Sequence, residues 1–84
     1  MSSMDKSELL KLVGKRIKDV RESKGITQLD LVITMENEHG KFDTTNVSRI
    51  ESGRTNPTIY TLHRIADALE VSLSELINYE ESSN

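Results

Sequence analysis

The sequence has no cysteine and no tryptophan, and its aromatic residues are two tyrosines and one phenylalanine. Without cysteine the chain has neither a disulfide framework nor a thiolate metal site. So few aromatic side chains exclude a stacking platform for single-stranded nucleic acid. No apolar run approaches the roughly 18 residues of a membrane span, and the N-terminus lacks a signal-peptide pattern. We therefore expect a soluble, cytoplasmic protein with no membrane partner.

The total charge taken alone argues mildly against a nucleic-acid partner, because 14 acidic residues outnumber 11 basic ones and leave a net charge of −3. The charges are segregated, however. Residues 11–24 contain six basic and two acidic side chains, whereas residues 65–84 contain five acidic and no basic ones. A basic early segment would approach a polyanion while the acidic end faces away from it.

Apolar residues recur at helical spacing almost throughout the 84 residues, which suffice for one small domain. The stripe of the first helix consists of Leu10, Val13, Ile17 and Val20. Asp5 and Glu8 predict a capping box at its start, and Lys24-Gly25 predict its end. Gly14 lies inside this helix, where we expect it to permit close packing against a neighbour.

Thr27 and Asp30 predict a second capping box, at the start of a second helix. This helix is apolar almost all round, so we expect it in the middle of the bundle. Its apolar residues are Leu29, Leu31, Val32, Ile33 and Met35. The polar segment Asn37–Phe42, which contains one glycine, is interpreted as a turn.

Three shorter helices follow. Asp43 is the predicted cap of the third, which has Val47 and Ile50 on its inner face and ends at Gly53. A turn at residues 56–58 leads to the fourth, whose inward residues are expected to be Ile59, Leu62, Ile65, Ala66 and Leu69. Ser72 begins the fifth with a capping box. The sequence thus predicts an all-α fold, a compact bundle of five helices.

Three segments resemble the Cro/phage-repressor type (XRE-like) of transcriptional regulators. Residues 13–28, VGKRIKDVRESKGITQ, are similar to the family's first helix and the start of its helix-turn-helix. Residues 47–58, VSRIESGRTNPT, are similar to the end of its recognition helix and the following loop, and residues 59–77 to its last two helices. The resemblance implies a lambda-repressor-like DNA-binding domain over residues 10–78, in a prokaryotic or phage protein. Residues 1–9 are then an extension or the start of the first helix, and residues 79–84 a flexible acidic tail.

The chain departs from the family pattern at two places. The stretch between Gln28 and Val47 is longer than usual, with the additional residues in Glu36–Phe42. Val32 stands where the family generally has a small residue at the contact between the two helices. Surface-loop insertions have a small entropic effect, so the fold is expected to survive them.

The resemblance implies a recognition helix over about residues 44–52 that enters the major groove. Its base-facing positions hold Thr44, Thr45, Asn46, Ser48 and Arg49. Arg49 suits a bidentate contact to guanine O6 and N7, which contributes about 1–3 kcal/mol of discrimination. The alternative is that these are ordinary polar residues on a solvated helix face.

Phosphate contacts are expected near helix starts, where backbone amides attract anions, and in the loop after the recognition helix. The residues implied are Thr27, Gln28, Lys41, Ser52, Arg54, Thr55 and Asn56. The resemblance further implies a buried, structural ion pair between Arg21 and Glu51. A solvated loop cation is the alternative interpretation of Arg54.

Because a single such domain reads only a few base pairs, we expect a homodimer on a pseudo-palindromic operator. The expected interface comprises Leu73, Leu76, Ile77 and Tyr79, unless these residues close the core of the monomer. His39 and His63 have no partner spacing typical of a metal site, and Gly14-Lys15-Arg16 lacks the glycine spacing of a phosphate loop, so we expect no metal and no enzymatic activity. We also expect no cofactor and do not favour a small-molecule effector. The alternative function is an antitoxin-like or other protein-interaction module on the same fold.

Overall fold

The structure is a computed structural model that describes residues 4–39 and 42–78. Its helices, in chain order, are α1 (Lys6–Ser23), α2 (Gln28–His39), α3 (Thr44–Glu51), α4 (Ile59–Ala68) and α5 (Leu73–Leu76). The predicted all-α fold is confirmed. None of the described helices combines the length and the apolar character that crossing a membrane requires.

Side-chain caps set the helix starts. The two capping boxes at Asp5 and Ser72 are both formed. At the start of α2, the Asp30 amide donates to Thr27 Oγ1 at 3.0 Å and the Thr27 amide donates to Asp30 Oδ2 at 3.1 Å. The Asp43 carboxylate begins α3 by accepting from the Asn46 amide at 2.9 Å. These predicted caps are confirmed because capping depends on residues only three positions apart.

The buried core takes residues from every helix and from the segment before α3. Its apolar members are Ile17, Val20, Leu31, Val32, Met35, Phe42, Val47, Ile50, Leu62, Ile65, Ala66, Leu69 and Leu76. The inward assignment of Val47 and Ile50 in α3 is confirmed. α5 closes the bundle: Leu76 is completely buried, and the Glu75 carbonyl accepts from Arg16 Nε and Nη2 at 3.0 and 2.9 Å.

Two predictions about buried faces are wrong. In α2, Leu29 and Ile33 keep 59 % and 50 % of their surface exposed, so this helix buries one face and does not occupy the middle of the bundle. In α4, Ile59 is 68 % exposed instead of inward. It is the first residue of the helix, one position beyond the Thr58 cap, and lies outside the apolar face that begins at Leu62.

The predicted turn at Asn37–Phe42 is also wrong in its extent. α2 continues through His39, and Phe42 belongs to the core. The guanidinium carbon of Arg64 lies 5.7 Å from the centroid of the Phe42 ring, which fixes the segment just before α3 against α4.

Gly14 brings α1 and α3 into backbone contact. A Cβ atom at this position would collide with the Ile50 carbonyl oxygen and lie 2.6 Å from the Glu51 carbonyl oxygen. At Gly53, which follows α3, φ is +76° and a Cβ would lie 2.8 Å from Lys11 Cα. Only glycine fits both positions, so the C-terminal end of α3 is held directly on α1.

Candidate nucleic-acid interface

A buried ion pair connects α1 to the last residue of α3. Arg21 Nε donates to Glu51 Oε2 at 2.7 Å, and Arg21 Nη2 donates to Glu51 Oε1 at 3.0 Å. The third guanidinium nitrogen, Nη1, donates to the Ile26 carbonyl at 2.7 Å. The two charged residues are only 6 % and 7 % exposed. Hydrogen bonding to Glu51 raises the pKa of Arg21 above its ordinary value, although burial alone would lower it.

The same carboxylate also holds the first residue of α2. Gln28 Nε2 donates to Glu51 Oε1 at 3.0 Å. Glu51 therefore accepts hydrogen bonds from α1 and from α2 while it terminates α3. The side chains of α1 and α2 that orient α3 thus meet at this one buried carboxylate. A buried ion pair is tolerated in this bidentate, hydrogen-bonded geometry.

The outward face of α3 forms one wall of an open, polar concavity. Its lining residues are Gln28, Thr44, Thr45, Ser48, Arg49 and Arg54. Two of these side chains are cationic and none is acidic, so the concavity is positively charged. The structure thus brings together six of the residues predicted to contact bases or phosphates.

The other predicted residues fall into different places. Asn46, Thr55 and Asn56 lie in a second hollow between α3 and the start of α4, and Arg49 lines both hollows. The Thr27 hydroxyl caps α2. Ser52 Oγ donates to the Ser48 carbonyl at 2.9 Å and accepts from Arg54 Nε at 3.1 Å. Lys41 lies outside the described residues.

One cation beside this surface was not predicted from the sequence. Lys18 on α1 lines a small cleft together with Gln28 and Ser48. The signal that could have identified it is helical spacing: Lys18 precedes Arg21 by three residues, so both share the α1 face that packs against α3.

The predicted dimer interface needs one correction. Leu76 has no exposed surface, so its side chain belongs to the core of the subunit and is not available to a partner. Leu73 and Ile77 are partly buried and pack against that core while retaining some exposed surface. Tyr79 lies outside the described residues.

Comparison with known proteins identifies the family. The family model described as a helix-turn-helix domain matches residues 14–82. An HTH-type transcriptional regulator of Sinorhizobium fredii is 40 % identical over 70 residues, which are 83 % of this chain and 84 % of that protein. The chain belongs to the helix-turn-helix transcriptional regulators of the Cro and phage-repressor type. α2 and α3 form its helix-turn-helix, with α3 in the position of the recognition helix.

Two further matches bear on this helix-turn-helix protein. The immunity repressor of Bacillus phage phi105 is 32 % identical over 68 residues, which span 81 % of this chain and 44 % of the longer repressor. The restriction-modification controller protein C.Esp1396I, solved as a tetramer with its natural 35 base-pair operator, matches with 37 % identity and a TM-score of 0.67. That alignment covers 82 % of this chain and 93 % of the controller chain.

Proposed function

We propose that this helix-turn-helix protein regulates transcription in the cytoplasm by reading a specific sequence of double-stranded DNA with the outer face of α3. The observation that carries the proposal is the open concavity beside α3, where exposed Arg49 and Arg54 flank short polar side chains and no carboxylate is present. A helix with short polar residues in its first turns suits the width of the major groove.

Within this surface, base reading and backbone binding belong to different residues. Thr44 and Thr45 occupy the first turn of α3, and Arg49 follows on the same exposed side. We assign Arg49 to a guanine, because its planar guanidinium matches O6 and N7. Arg54 lies in the loop after α3, where a cation holds a phosphate without reading sequence. Gln28, at the start of α2, contacts a second phosphate.

The regulator is proposed to act as a homodimer. One α3 reads only a few base pairs, and two recognition helices about 34 Å apart match successive major grooves. The C.Esp1396I controller is a tetramer on its operator, which supports multimeric binding here. Leu73, Ile77 and Tyr79 are the residues proposed for the interface of this chain.

The experiment begins with selection of bound duplexes from random DNA, followed by fluorescence anisotropy on the selected site. Arg49→Ala is expected to weaken binding by about 1–3 kcal/mol and to relax preference at one base position. Arg54→Ala is expected to weaken binding to all DNA sequences alike. It should also reduce the slope of log affinity against log salt concentration by about one unit. Lys24→Ala is the charge-matched control, because Lys24, the C-cap of α1, lines a groove with Val71 and Glu75 to which no residue of α2 or α3 contributes. Unchanged binding in both arginine variants would contradict the assignment.

The second candidate function, a protein-interaction module, has one observation in its favour. Leu29 and Ile33 are separated by one helical turn on α2, and both are at least half exposed. Exposed apolar pairs of this kind are used by helical partners. If Leu29→Ser with Ile33→Ser abolishes co-purification of a second protein while DNA affinity is retained, the chain has this function as well.

A further inference from the structure

A small cleft of about 150 Å³ opens where α1, the start of α2 and the end of α3 meet. Its lining residues are Lys18, Gln28, Ser48, Glu51 and Ser52. Gln28 and Ser48 also line the concavity beside α3, so the cleft continues the proposed DNA-binding surface onto α1.

The charge of the cleft is set by Lys18. Glu51 contributes a carboxylate, but both of its oxygens accept hydrogen bonds from the Arg21 guanidinium, and the pair is neutral. The side-chain ammonium of Lys18 has no ion pair or hydrogen bond among the described residues, whereas that of Lys15 on the same helix is paired with Asp19 at 2.7 Å. The cleft therefore presents one uncompensated positive charge beside a buried, neutralised pair.

The amide of Gln28 has a defined orientation in this cleft. An ionised carboxylate only accepts hydrogen bonds, so Glu51 Oε1 must face the NH₂ group of Gln28 and not its carbonyl oxygen. This bond uses one of the two Nε2 hydrogens. The second hydrogen is left for another acceptor, on a side chain that Glu51 already holds in place.

We propose that this cleft receives one phosphate of the DNA backbone, bound by Lys18 and by the second Nε2 hydrogen of Gln28, with Glu51 as the positioning residue that orients the amide. The inference rests on the proposed function and deepens it. It adds Lys18 to the DNA-binding residues, and it gives the Arg21–Glu51 pair a role in binding besides its role in the fold.

The first test compares Lys18→Gln with Lys15→Gln on the selected duplex. Both variants remove one exposed lysine charge from α1, but Lys15 is already paired with Asp19. One lost phosphate contact lowers the salt slope by about 0.9, so the affinity advantage of the wild type over Lys18→Gln should shrink roughly 3.5-fold between 50 and 200 mM salt. The affinity of Lys15→Gln for the duplex should stay within twofold of the wild-type affinity over the same salt range. Equal effects of the two variants would overturn the proposal.

The second test asks whether Lys18 and Gln28 contact the same phosphate. Each phosphate of the duplex is replaced in turn by an uncharged methylphosphonate, and affinity is measured for the wild type, Lys18→Gln and Gln28→Ala. At one phosphate position, the methylphosphonate should weaken binding by the wild type. At that same position it should cause almost no further loss of affinity in Lys18→Gln or in Gln28→Ala. If the methylphosphonate effect disappears at different positions in the two variants, or at no position in either, the shared phosphate site is refuted.

The positioning role of Glu51 is tested with Arg21→Met combined with Glu51→Leu, which replaces the pair by apolar groups and avoids an unpaired buried charge. Circular dichroism first establishes that this variant is folded. The effect of neutralising the Gln28 phosphate should then fall to less than half of its wild-type value, whereas the phosphate of Arg54 should keep its full effect. Equal losses at both phosphates would show a merely structural role.

The outcomes separate this inference from the proposed function. If the wild-type protein selects no duplex, the proposed function fails. If it selects one and responds to Arg49→Ala and Arg54→Ala, but Lys18→Gln behaves as Lys15→Gln does, only the phosphate site in the cleft fails.

Discussion

Removing Glu51 alone should destabilise the protein severely. In the Glu51→Leu variant, the buried guanidinium of Arg21 loses two hydrogen bonds, of 2.7 and 3.0 Å. It retains its bond to the Ile26 carbonyl and a longer contact, 3.9 Å, with the exposed Glu22 carboxylate. Breaking one partner of a buried pair costs about 3–5 kcal/mol, because the other charge is left uncompensated. A chain of this length has a total stability of about 4–13 kcal/mol. The single substitution thus removes at least roughly a quarter of it.

Replacing both partners should be much less harmful. In the Arg21→Met, Glu51→Leu variant no charge remains to be desolvated, and the new side chains fill similar volumes. Such replacements are often neutral or stabilising by about 1–4 kcal/mol. The loss of the Arg21–Ile26 hydrogen bond, which leaves the Ile26 carbonyl without this donor, offsets part of that gain by about 1–3 kcal/mol.

Urea denaturation at pH 7, followed by circular dichroism at 222 nm, measures these free energies of unfolding. Asp19→Asn is the control, because Asp19 belongs to an exposed pair with Lys15 that contributes only about 0.3–0.5 kcal/mol. The reasoning is refuted if Glu51→Leu lowers stability by less than about 1 kcal/mol, or if the double variant is as unstable as the single one.

Three further predictions concern α3 and the subunit contacts. Gly14→Ala should lower the free energy of unfolding by about 1–3 kcal/mol despite the better helix propensity of alanine, because its Cβ meets backbone atoms of α3 that cannot rotate away; urea titration measures this, and a stabilised variant would contradict it. Asp43→Ala should lose the cap of α3 and about 1 kcal/mol, whereas Asp43→Asn should retain most of it; thermal unfolding of the two compares them, and equal losses would argue against a capping role. Ile77→Ser should weaken dimerisation in sedimentation, whereas Leu76→Ala should cost about 2–5 kcal/mol of monomer stability; unchanged self-association in Ile77→Ser would remove α5 from the interface.

Local signals predicted the helix boundaries best. The caps at Asp5, Thr27, Asp43 and Ser72 depend on side chains three residues from the groups they bind. Such a short pattern can be recognised in the sequence without knowledge of the fold. Polar composition alone predicts a turn from Asn37 onward, but α2 continues through His39, because a helix accommodates the same polar composition.

Contacts between distant residues were predicted less well. The spacing of apolar residues shows that a helix has an apolar side but not how much of that side a neighbour covers, so Leu29 and Ile59 were wrongly expected to be buried. The bond from Gln28 to Glu51 joins residues 23 positions apart, and no local pattern indicates it. The sequence predicts that Gly14 permits close packing against a neighbour. Only the folded structure shows that this neighbour is the backbone of α3.

The most direct test of the central claim, that the outer face of α3 reads the duplex, is titration of the ¹⁵N-labelled protein with its selected DNA. We predict that the amide signals of Thr44, Thr45 and Arg49 shift most, together with those of Gln28 and Arg54, while Asp67 and Glu70 in and beside the C-terminal end of α4 remain unchanged. Shifts concentrated at residues 67–78, with Thr44 to Arg49 unaffected, would contradict the account.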